Sequence, residues 1–176
     1  GWGSKNYPNA LLGVVALIRQ TFLDADWYRR SSKQAENYPQ LNVPLKQNHD
    51  LDILGEWINN KKPFIFETNH ELTALRSLNI ANEFKLNFWL RGSGYEYRRI
   101  NEIATQKPLI VLPLDFPVTP DISNPYQALS YSTAELKHWT MAPDNPAILA
   151  EHNIPIALTA HGLEEKEFRK NLIRSS

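Results

Sequence analysis

The sequence predicts an α/β fold of about four parallel β/α units preceded by a long helix. Three observations carry that expectation. Four short runs, at 63–66, 87–90, 108–112 and 155–158, are apolar without alternation. Strands buried on both faces of a parallel sheet read this way. Amphipathic helical segments follow them at 72–84, 95–105, 144–152 and 164–173, the third after a long loop over 113–141. Near the start, Leu11, Val14, Ile18, Phe22 and Ala25 recur at helical spacing.

Taken in order, Asn9 is placed to cap a helix that begins at Ala10 and runs to about Ser32. Its first turns are apolar on nearly every side, which suits a helix covered by other elements. Residues 36–48 are polar and carry Pro39 and Pro44, so they read as a loop. Residues 50–60 read as a short helix with Leu51, Leu54 and Ile58 on one face. This divides the chain into a helical segment, 1–62, and four β/α units, 63–176. In the first of those units, Leu72, Leu75, Leu78, Ala81 and Phe84 form the packing face of the helix. In the third, Asn145-Pro146 resembles a cap followed by proline at the first helical position. Four units are half of an eight-unit barrel, which takes about 250 residues. The alternative is an open doubly wound sheet. Periodicity does not separate the two. In either, the chemistry lies past the carboxyl ends of the strands.

Composition limits the function classes. Of 176 residues, 42% are hydrophobic and 22% charged, so the chain can bury a core. Nineteen basic residues balance nineteen acidic ones, which leaves no electrostatic footprint for nucleic acid. The absence of cysteine excludes disulfides, thiolate metal sites and a thiol nucleophile. The longest apolar stretch, 10–18, is far short of the ~20 residues that span a bilayer. No signal-peptide pattern is visible, and the first residue, Gly1, leaves room for an upstream segment.

At the strand ends stand Glu67-Thr68-Asn69-His70, Arg91-Gly92-Ser93-Gly94, Pro113-Leu114-Asp115 and Thr159-Ala160-His161-Gly162. If the strands are parallel, Glu67, His70, Arg91, Asp115 and His161 gather on one rim. Carboxylates with imidazoles can bind a divalent metal or act as acid and base. A plainer account stands beside this one. Glu67 and Arg91 can form a structural ion pair, and Asn69 or His70 can cap the following helix. His49, His138 and His152 are placed in loops or on a helix surface and receive no role.

Several motifs fail. His70-Glu71 begins an HExxH pattern, but position 74 is Ala74. No His-x-His and no G-x-S-x-G occurs. Gly92-Ser93-Gly94 resembles the start of a dinucleotide fingerprint, with Asp115 near the place of a ribose ligand, but the third glycine position holds Tyr97.

Phe66-Glu67-Thr68-Asn69, 75–84, Arg91-Gly92-Ser93 and Tyr95-Glu96-Tyr97 resemble the second half of the amidohydrolase barrel, in particular its imidazolonepropionase-like members. Asn145-Pro146-Ala147-Ile148-Leu149-Ala150 and Ile156-Ala157-Leu158-Thr159 resemble that family's seventh helix and eighth strand. Tyr7-Pro8-Asn9 through Gln20 is similar to the helical region before the fifth strand of large bacterial members. The resemblance implies a partial TIM-type (β/α) barrel and metal-dependent hydrolysis of C–N bonds in amides or cyclic amides. In active members the fifth and sixth strands each end in a metal-binding histidine and the eighth in an aspartate. Here those positions fall on Glu67, Arg91 and His161. The resemblance therefore implies Glu67 and His161 as ligands of a divalent metal, zinc foremost. With the strand-end residues above, this gives His161 and Asp115 as catalytic groups, and Arg91 and His70 as substrate-binding groups. Arg91 cannot ligate a metal, because a guanidinium has no free lone pair. Two further readings follow: a catalytically degenerate domain with a ligand-binding or scaffold role, marked by a Glu67–Arg91 salt bridge, and a dinucleotide-binding half-sheet. The expected partners are a small-molecule substrate, the remainder of a longer chain, and a second copy covering the open sheet edges. Large bacterial members are often exported, so the resemblance is compatible with an exported protein.

Overall fold

The computed structural model describes residues 8–41 and 45–175; Tyr7 and Pro44, named above, lie outside them. Two compact units result, one of the described residues up to Lys62 with Phe84–Asn87, the other of Pro63–Glu83 with the residues from Phe88 onward.

The first unit is helical. Helix α1 spans Leu11–Asn37, longer than its apolar pattern, and α2 spans His49–Asn59. Asn9 does not cap α1: the N-cap is Ala10, with no side-chain bond. Asn48 does cap α2, its side chain accepting from the Leu51 N–H. The Tyr28 hydroxyl accepts from the Asn48 N–H at 3.0 Å and ties the helices together. Gly55 allows α2 to approach α1, since a Cβ there would meet the Ala25 carbonyl at 3.4 Å. The apolar start of α1 is not covered as expected, for Leu12 is 83% exposed.

The second unit carries strands β1 (Phe64–Glu67), β2 (Phe88–Arg91), β3 (Leu109–Pro113) and β4 (Ile156–Thr159), all parallel and in the order β1-β2-β3-β4. Helix α3 (Glu71–Glu83) follows β1. A 3-10 turn at Glu96–Arg99 and α4 (Ile100–Ala104) follow β2, in place of one helix over 95–105. Helices α5 (Pro125–Ala128) and α6 (Thr133–Met141) lie within the expected loop, then come α7 (Asn145–Glu151) and, after β4, α8 (Glu165–Arg174). Ala74 and Leu78 of α3, Ile103 of α4 and Leu149 of α7 share one core with Leu90, Ile110 and Leu112 of the sheet. These helices therefore cover the same sheet face. A doubly wound sheet would put helices on both faces and reverse its strand order. Sequential parallel order with one covered face is the arrangement of a partial (β/α) barrel.

The helices that lead into the strands end alike. Lys61, Lys85, Lys107 and Asn153 all have positive φ, between 44° and 55°, two or three residues before β1, β2, β3 and β4. A left-handed residue stops a helix by redirecting the chain. Glycine adopts that backbone without strain, whereas here lysine does so three times, at about 1–2 kcal/mol each.

Candidate active site

The C-terminal rim is built from the loop after each strand. Parallel pairing extends one residue beyond the apolar runs of β1 and β2, so Glu67 and Arg91 are the last strand residues and face each other in register. Arg91 Nη1 lies 3.1 Å from Glu67 Oε1, the Glu67 side chain being 72% exposed. This is the ion pair of the plainer account, and solvent limits its worth to about 1 kcal/mol or less.

After β2, the loop Gly92-Ser93-Gly94 turns around Glu96, which is 1% exposed. Its carboxylate accepts from Ser93 N–H at 2.7 Å, Gly94 N–H at 3.0 Å and Asn145 Nδ2 at 2.8 Å. Asn145 Oδ1 in turn accepts from the Tyr97 N–H at 2.9 Å. Two corrections follow. Asn145 does not cap α7, whose N-cap is Asp144 without a side-chain bond. The loop is no dinucleotide cradle either, because the N–H groups that would hold a phosphate already hold the chain's own carboxylate.

Beside this loop lies a cavity of about 620 Å³, whose lining includes His70, Tyr95, Arg98 and His138. Asp115, Phe116 and Glu135 line it as well. His70 stands just before α3 and its Nδ1 accepts from the Leu72 N–H at 3.4 Å, so it has the capping role as well. The same Nδ1 is 3.1 Å from Oε2 of the buried Glu71, outside hydrogen-bond geometry, and that oxygen has no hydrogen-bond partner. Tyr95 stacks on His138, ring centroids 3.6 Å apart, and the Arg98 guanidinium lies 4.6 Å from the Tyr95 ring centre. Arg98 Nε donates to the Tyr97 hydroxyl at 3.3 Å, and that hydroxyl lies 3.3 Å from His138 Nδ1. Arg98 Nη1 is 3.6 Å from Glu71 Oε1.

The sequence leaves His138 within the long loop 113–141 and without a role, but it lies on α6 and is 8% exposed. The weak apolar stripe of α6 conceals it. The usable signal is Ser132 three residues before Glu135, which form a capping box. Ser132 also holds the Glu135 carboxyl below its usual pKa by donating to it. Burial, then the nearby Arg98 charge, lowers the His138 pKa below 6.5, with Glu71 opposing. The unfolded chain then binds the proton more readily, so stability falls as pH drops below about 6.5. We expect a lower melting temperature at about pH 5 than at pH 7, and a smaller difference in His138→Asn, read by calorimetry across that window.

The rim thus brings His70 and Asp115 to one cavity and pairs Glu67 with Arg91. It leaves His161 exposed two residues past β4, its N–H bonded to Thr159 Oγ1 at 3.2 Å. Three inter-strand steps of about 4.8 Å separate the strands carrying Glu67 and His161. Among the described residues, no three His, Cys, Asp or Glu side chains converge as a metal site. The expected pair of ligands, one held by arginine and the other in the turn after the opposite edge strand, does not fit a resident metal by itself. Gly162, at φ 86°, lies against Asp115: a Cβ there would be 2.9 Å from Oδ2.

No family model matches the chain, and no curated protein matches it. Its fold is similar to a crystal structure of amidohydrolase from Thermotoga maritima MSB8, with a TM-score of 0.68 at 22% identity. The match covers 98% of this chain and 42% of that one. At such identity the likeness shows fold alone: the chain has an amidohydrolase-like fold and spans less than half of that relative's length.

Proposed function

We propose that this chain is an amidohydrolase-like half-barrel that binds a small molecule at its strand-end rim, in the cavity between His70, Tyr95, Arg98, Asp115 and His138. The observation that carries this reading is the Glu67–Arg91 ion pair, 3.1 Å long, where the family resemblance implies metal ligands. A guanidinium there repels a divalent cation and occupies the carboxylate that would attract one. The cavity remains as the concave, partly apolar place for a ligand.

Elemental analysis for zinc, nickel, manganese and iron tests this. We expect far less than one metal per chain, unchanged in Glu67→Ala and His161→Ala. Near-stoichiometric metal, lost in both variants, would overturn the reading. It would favour a second one: metal-dependent hydrolysis of C–N bonds in amides or cyclic amides. That reading draws support from the likeness of the fold to the Thermotoga amidohydrolase.

A further inference from the structure

We infer that His138 is the hydrogen-bond donor of the rim cavity, held as the Nε2–H tautomer through Arg98 and Tyr97, and that it selects a neutral carbonyl oxygen over a carboxylate. This deepens the proposed function and rests on its assignment of the cavity as the ligand site. The Tyr97 hydroxyl accepts from Arg98 Nε, so its own proton is free to be donated. Among the described residues, the hydroxyl's other hydrogen-bond partner is His138 Nδ1, at 3.3 Å. Nδ1 then accepts, and in the neutral ring the proton sits on Nε2.

Nε2 has no partner in the protein among the described residues. The fully buried side-chain atoms that lack a partner there are Glu71 Oε2 and Trp139 Nε1, so Nε2 is not sealed in. The residual exposure of His138 is therefore available at Nε2, on a residue that lines the cavity. Stacking on Tyr95 fixes the ring plane, and Tyr97 lies parallel to it at 6.1 Å.

The charges around this donor set its preference. Arg98 is the cation of the lining, and Glu71 Oε1 lies 3.6 Å behind it. His70 is in contact with the same carboxylate. Asp115 and Glu135 complete the lining as carboxylates. A ligand carboxylate would meet like charge, because Arg98 is paired with Glu71, and Arg174, the other cation nearby, lies over the Phe116 and Trp139 rings, 5.9 Å from each. A carbonyl can take the Nε2–H without that cost, and an adjacent N–H would suit Asp115.

The experiment is nitrogen-15 NMR of the His138 ring in the whole chain, with benzamide and benzoate as probes. We expect His138 to be neutral and protonated on Nε2 at about pH 7. Benzamide should shift that resonance and bind about tenfold more tightly than benzoate. Tyr97→Phe should release the tautomer, giving averaged ring shifts. A proton on Nδ1, a cationic ring, tighter binding of benzoate, or benzamide shifting Val118 and Ala134 but not His138 would overturn this inference and leave the cavity as a ligand site. If neither probe moves any lining residue, both fall.

Discussion

Replacing Glu96 with alanine is expected to cost roughly 3–5 kcal/mol, because it strands several buried donors at once. The Ser93 and Gly94 N–H groups and Asn145 Nδ2 all end on this carboxylate. Asn145 would lose the partner that aims its Oδ1 at the Tyr97 N–H. For a chain of this size the melting temperature should drop by on the order of 10 °C. Glu96→Gln separates hydrogen bonding from volume. Its amide NH₂ would have to face a donor, so most of the loss should persist although the shape is kept. Thermal denaturation of the two variants decides: a Gln variant as stable as the parent would mean that filling the space, not accepting the bonds, is what matters.

Gly92→Ala should cost about 1–3 kcal/mol, the range for overpacking a filled core. An added Cβ would lie 2.8 Å from Leu112 Cδ2, 2.9 Å from Glu96 Oε1 and 3.0 Å from Ile110 Cγ2. None of these neighbours can swing into solvent, since Leu112, Glu96 and Ile110 are all at most 1% exposed. The strain falls on the loop that carries Tyr95. Urea titration should therefore show a lower midpoint with an unchanged slope. A midpoint equal to the parent's would mean that β2 and β3 can part without loss. This glycine is needed for close packing, and its place next to Ser93-Gly94 is what makes the loop resemble a phosphate-binding turn.

The strands are legible because short continuous apolar runs, each followed by a helical pattern, suit a parallel sheet and little else. Each strand lies within one residue of its expected place. That one residue matters at the site. The ladder bonds of a sheet involve backbone, so pairing continues through Glu67 and Arg91, which hydropathy assigns to loops. The choice between a half-barrel and a doubly wound sheet is not legible, since it depends on which face the helices cover. His138 is hidden for a related reason. Its burial comes from Tyr95 and Tyr97, about forty residues away in sequence, and no local pattern records such a meeting. Asn145 illustrates the converse: an asparagine before proline looks like a cap, but a buried carboxylate from another segment is the stronger partner for its side chain.

The sheet has two unlike faces. Phe66, Phe88, Leu90, Ile110 and Leu112 meet the helices, while Ile65 and Trp89, paired in register, point to the other side and are 63% and 38% exposed. A surface that covered that second face would be held there mainly by the release of water from apolar surface. Near room temperature that driving force is entropic and weakens on cooling. The association would therefore tighten on gentle warming and loosen in the cold, and it would tolerate salt better than urea.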